Sequence, residues 1–307
     1  MNTPFSIDPK GLRLTAIQRS LLASHYNFPD NGHQNAALTI QFSEPVDPVR
    51  LAHAFDSVVT RSDVLRSVFA DRKLGGVALT AGPPAPTLIR YASADEFADW
   101  CAQNARRPLD LSKACYESVI AVHPDQTATW YLNLHHVIND GPSAAFVLKA
   151  VDAEYSGDPL PLDSYYGRER MGTSLADVAG TARKHWQERQ ARSRLDYVYG
   201  HLRRSSADAE QWTVLQGAAF NTMLEHGLAD SFRLLTPGLS RGAFWVFATA
   251  LYLHRLSGAD SFSVGAIVNQ RERLSAQNTI GPFIEIFPVD IDVRADDTHR
   301  TLFARVA

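Results

Sequence analysis

Cysteine is scarce in this 307-residue chain. Only Cys101 and Cys115 occur, outside any C-x-x-C pattern, so neither a disulfide framework nor a thiolate zinc site is indicated and a reducing compartment fits. No segment reaches the roughly 18 consecutive apolar residues that span a bilayer, and Met1-Asn2-Thr3-Pro4 is not a basic region leading into an apolar run. The expectation is a soluble, cytoplasmic protein with no membrane partner. Positive charge is not in excess either: 30 Lys and Arg face 33 Asp and Glu, net −3, which argues against a nucleic-acid partner. No Walker loop, dinucleotide fingerprint or zinc-ligand spacing occurs, so no bound cofactor and no metal are expected.

What is present reads as a folded globular chain, with 45% apolar and 21% charged residues, far from a disordered composition. At roughly 150 residues per domain the length corresponds to about two units. Segments of period two alternate with segments of helical period, which predicts a mixed α/β or α+β fold and excludes a bundle or a pure sandwich. Asp47-Pro48 forms a helix start, and Leu51, Phe55, Val58 and Val59 share one face of a helix over 48–61. Phe97, Trp100 and Cys101 mark another over 95–106.

Residues 129–136 alternate as a strand, with Trp130, Leu132, Leu134 and His136 on one face and Tyr131, Asn133 and His135 on the other. A turn-rich stretch, 137–143, leads into a helix over 144–155. Residues 156–173 lose periodicity and gather Gly, Pro, Asp and Ser, which places a boundary there and gives units 1–165 and 166–307. Beyond it the pattern predicts a long Arg-rich polar helix over 175–203, an apolar helix over 241–256 buried on most sides, and strands near 261–268 and 283–293.

The stretch His135-His136-Val137-Ile138-Asn139-Asp140-Gly141 is the most informative for chemistry. Adjacent histidines on a strand point to opposite faces, so they do not readily share a metal. Residue chemistry alone leaves two readings, a catalytic imidazole and a satisfied core histidine.

The stretch matches H-H-x-x-x-D-G at His135, His136, Asp140 and Gly141, followed by the small Ser143. Upstream, Leu14-Thr15-Ala16-Ile17-Gln18 is similar to an opening block that ends in Gln. Arg61-Ser62-Asp63-Val64-Leu65-Arg66-Ser67-Val68-Phe69 is similar to R-H-E-x-L-R-T-x-F. Downstream, Ile280-Gly281-Pro282-Phe283-Ile284 and Pro288 follow G-P-F-V-N-T-L-P-L-R, with Glu285 where that block has Asn and Asp290 where it has Arg. In these blocks and their order the chain resembles the condensation domains of nonribosomal peptide synthetases.

The resemblance implies a chloramphenicol acetyltransferase-like α/β (α+β sandwich) fold of two subdomains with a tunnel between them. Because family members continue well past the G-P-F block and this chain stops at Ala307, the second subdomain is expected to be incomplete. It implies donor and acceptor carrier proteins as partners, alongside adjacent synthetase domains. The only cofactor would be the phosphopantetheine arms of those carriers, and the product an amide. His136 would take the proton from the attacking amine or orient it, and the Gly141 N–H would approach the oxyanion. His135 would be structural. Asp140 would hold the loop by an ion pair with Arg66, or with Arg61. The alternative is a catalytically silent module that only docks carriers or neighbouring domains.

One further motif, Gly238-Leu239-Ser240-Arg241-Gly242, satisfies the G-x-S-x-G of a nucleophile elbow, with Asp290 or Asp292 and then His299 following in chain order. Pro237 directly before it is a poor end for a central strand, and no βαβ series surrounds it. Ser240 is therefore read as a helix N-cap.

Overall fold

In the computed structural model, residues 12–42, 44–69, 77–91, 93–125, 127–167, 184–189, 241–272 and 274–306 are described. The main sheet has the order β1 (Asn35–Gln41), β6 (Ala128–His135), β5 (Tyr116–Val122), β4 (Thr87–Arg90). β6 runs antiparallel to both neighbours, with Leu38 and Ser118 on either side of Leu132, and β4 is parallel to β5. Paired on both edges, β6 has all eight residues buried. Its Trp130, Leu132 and Leu134 join the main core, while Tyr131 packs with Phe97, Cys101, Val119 and Ala121 on the other face. A short pair, β2 (Ser67–Val68) and β3 (Ala78–Leu79), stands apart from this sheet.

The helices form where caps and periodicity direct them. α1 (Ala16–Asn27) opens on a capping box of Thr15 and Gln18. α2 (Pro48–Arg61) covers the residues expected: the Asp47 carboxylate accepts from the N–H groups of Val49 and Arg50 at 2.9 and 3.1 Å, and Leu51, Phe55, Val58 and Val59 are buried. α3 (Ala94–Asn104) is capped by Ser93. α4 (Gly141–Ser156) begins three residues before the expected start at 144, because Asp140 caps it. It ends at Gly157, whose φ of +89° is a left-handed conformation that glycine adopts without a Cβ penalty. The strand expected over 129–136 stops at His135, and His136–Ile138 turn as one 3₁₀ unit.

The chain divides into two compact units, 1–175 with 269–284, and 176–268 with 285–307. This differs from a single cut at 165/166. Tyr165 and Tyr166 are buried in the first unit's core, and 269–284 returns to that unit after the chain has left it. The described part of the second unit comprises a helical stretch at 184–189, α5 (Arg241–Ser257), the two-stranded sheet of β7 (Ser261–Asn269) and β8 (Ile284–Asp292), and α6 (His299–Val306). Its core is small, built on Ala250, Phe262 and Ile291.

α5 corrects an expectation. Predicted to be buried on most sides, it leaves Trp245 and Tyr252 52% and 62% exposed. Apolar content shows only that a helix can be buried, whereas exposure depends on which neighbours reach each face, and here Phe303 of α6 meets Phe247 on one side. The polar helix expected over 175–203 is described only at 184–189, which is helical, and the expected Ser240 cap lies outside the described residues.

Candidate functional site

The end of β6 separates its two histidines. His135 is fully buried, and burial, followed by the neighbouring charges of His25, His136 and His33, holds its imidazole well below the usual histidine range. Its Nδ1 accepts the Val137 N–H at 3.0 Å, so the ring proton sits on Nε2. His136, one residue into the turn, is only half-buried. Its backbone N–H donates to Gln34 O at 2.8 Å, and its Nδ1–H donates to Asn139 O at 3.3 Å, which leaves the Nε2 lone pair as the basic atom of the ring.

Asp140 caps α4 from the base of the same loop. Its Oδ1 accepts from the Ser143 N–H at 2.8 Å and from Arg271 Nη2 at 2.9 Å, and its Oδ2 accepts from the Phe283 N–H at 2.8 Å. Both side chains of this ion pair are buried, 5% and 9% exposed. The expected partners of Asp140 are thereby corrected. Arg61 instead bonds Glu154 and Leu160 O, and Arg66 Nε donates to Ser62 O.

The physical reason is reach and burial. Arg271 arrives from the returning segment with a forked guanidinium that also donates to the carbonyls of Ala276, Thr279 and Gly281 and to Ser143 Oγ. It also lies 4.5 Å over the Phe283 ring. Nothing in the local sequence around Arg271 marks it, because its partner is 131 residues away.

At the start of α4, Pro142 has no N–H, and those of Ser143 and Ala144 are taken by Asp140. The Gly141 N–H is left at the positive end of the helix. A Cβ at Gly141 would meet no atom within 4 Å, so the protein itself does not require glycine there.

Gln18 ties the turn to α1. Its Nε2 donates to Val137 O and to Tyr166 Oη, both at 3.2 Å. The Tyr166 hydroxyl, which burial pushes far up, passes the bond to Ser67 Oγ at 2.8 Å, and Ser67 donates to Asp63 O. Asp63, which the sequence reading did not single out, accepts from Ser164 Oγ and from the N–H groups of Tyr165 and Tyr166. It occupies the Glu place of the R-H-E-x-L-R-T-x-F block, and that was the available signal. Tyr165 in turn packs where a side chain on Gly281 would fall 2.1 Å from its ring, and Gly281 has φ +151°. Asp290, in the second unit, accepts from Arg189 and Ser263.

Among the described residues no group of His, Cys, Asp and Glu could hold a metal ion, and no helix is long and apolar enough to cross a membrane. The arrangement is that of a mixed α/β protein of the chloramphenicol acetyltransferase-like fold, with a basic imidazole just past its central strand and an anchored aspartate beneath it. The family described as Condensation domain matches residues 10–307, and the chain belongs to that family.

Among curated relatives, the phosphinothricin tripeptide synthetase PhsC of Streptomyces viridochromogenes is 25% identical over 297 residues, covering 89% of this chain and 27% of its own length. The chain thus spans about a quarter of that relative, and a still smaller share, 4%, of a linear gramicidin synthase component from Brevibacillus parabrevis that is 23% identical over 325 residues. Two solved structures superpose on it. The condensation domain from Monacolin K polyketide synthase MokA has a TM-score of 0.75 at 16% identity, covering 96% of this chain and 71% of that one. The first condensation domain of the calcium-dependent antibiotic synthetase, in complex with a substrate analogue, has a TM-score of 0.70 at 17% identity, covering 96% and 72%.

Proposed function

We propose that this chain works as a nonribosomal peptide synthetase condensation domain. It would join a donor acyl thioester to an acceptor amine, both carried on the phosphopantetheine arms of carrier proteins. The observation that carries the reading is the state of His136: half-exposed, held by Asn139 O through Nδ1, and presenting Nε2 as a base in the loop that starts α4. As the amine nitrogen bonds to the thioester carbon, His136 accepts the amine proton. The Gly141 N–H donates to the oxygen that gains charge. Collapse breaks the C–S bond, and the proton returns to the leaving thiolate. His135, Asp140 and Arg271 touch no reacting atom in this scheme and keep the loop in place. The firm anchoring of that loop supports an active enzyme over a silent docking module.

The test measures product formed from two loaded carriers. His136→Ala is expected to lower turnover by about 10²- to 10⁴-fold, the usual worth of a positioned base, while the melting temperature stays put. Gly141→Ala, placed in space that the free protein leaves open, is expected to keep stability and lose turnover. Near-wild-type turnover by His136→Ala would remove the base from the mechanism.

A further inference from the structure

We infer that His25 is a positioning residue for this reaction, acting through His135 on the turn that carries His136. The inference rests on the reading of His136 as the base.

His25 lies on the buried face of α1 together with Gln18 and Leu22. Its Nδ1 is 3.3 Å from His135 Nε2, and the two rings meet edge to face with centroids 5.0 Å apart. The direction of this bond follows from the other side of the ring. The Val137 N–H can only donate, so His135 Nδ1 accepts and carries no proton. The proton is on Nε2, and His25 Nδ1 is its acceptor. Val137 is the middle residue of the 3₁₀ turn that begins at His136.

An acceptor at position 25 thus selects the one tautomer of His135 that can receive the Val137 N–H. In the other tautomer two N–H groups would face each other at 3.0 Å, and the turn would have to move. Gln34 O on the His136 N–H and Gln18 on Val137 O hold other points of the turn, and neither sets its register from inside the sheet. A ring needed only to fill space at position 25 would do as well without a nitrogen. Shape and acceptor can therefore be separated.

The experiment uses the full chain with His25→Phe, which keeps a ring and removes the acceptor, and His25→Asn, whose Oδ1 can stand where Nδ1 accepts. Ring ¹⁵N spectra assign the His135 tautomer. Steady-state rates with two loaded carriers separate kcat from KM. The wild type is expected to show His135 protonated on Nε2. His25→Phe is expected to lose that single tautomer and at least about tenfold in kcat, in line with small misplacements of reacting groups, with KM within about twofold. His25→Asn is expected to recover both signals although it fills less space.

An unchanged tautomer and rate in His25→Phe overturns the proposal, as does a loss in both variants that merely tracks melting temperature. If the wild type is no more active than His136→Ala, the functional reading has failed. The ring spectra then still decide whether His25 sets the His135 tautomer.

Discussion

β6 in the first unit and the β7–β8 pair in the second are both strands legible in the sequence, yet they end in opposite environments. Every residue of β6 is buried, because β1 and β5 close its edges and side chains pack on both faces. In β7 and β8 the described sheet has only two strands, and Ile267 and Ile286 are 72% and 69% exposed. Alternation specifies which residues share a face and says nothing of how many layers cover it. The proposed site lies at the end of the covered strand, where a buried histidine and a buried ion pair can be held without solvent competing for their bonds.

The largest expected effect lies at the buried pair of Asp140 and Arg271. Arg271→Ala is expected to destabilise the first unit by about 3–5 kcal/mol, since it leaves a carboxylate buried without its charge partner. Denaturant unfolding measures this, and a double-mutant cycle with Asp140→Asn should show strong coupling where a cycle with Arg66 shows little. Comparable coupling to Arg66 would contradict the pairing described above.

A smaller effect concerns His135. Its folded-state affinity for a proton is depressed by burial and by His25, His136 and His33, so the unfolded chain binds the proton first as pH falls. The stability it contributes is complete above the ordinary histidine value of about 6.5. It is lost below that value at up to about 1.4 kcal/mol per pH unit, until the folded protein also takes up the proton. Unfolding measured between neutral and mildly acid pH should show this slope, and His135→Asn should flatten it. The smallest effect belongs to the open sheet: Ile267→Thr should change stability by no more than about 0.5 kcal/mol, and a large loss would mean that this face is covered.

How much was legible follows the range of the signal. α2 is legible from its cap and its period, and β6 from its alternation, because each is written within a few neighbouring residues. The periodicity marked no strand over β1 or β5. In β5, Val119 to Ala121 are buried together, a run that alternation does not single out. α1 was not assigned because its buried face carries Gln18 and His25, polar residues whose partners lie on other elements.

The mixed α/β class, the family blocks and the position of the H-H-x-x-x-D-G loop could all be read from the sequence. These follow from local periodicity, capping and residue type. Only the tertiary structure decided that Arg271 and not Arg66 neutralises Asp140, that His135 is the histidine shut into the sheet, and that His25 lies against it. Those facts depend on which distant segments are brought within hydrogen-bond distance in a medium that excludes water, where an unpartnered charge is costly and a single correct partner prevails.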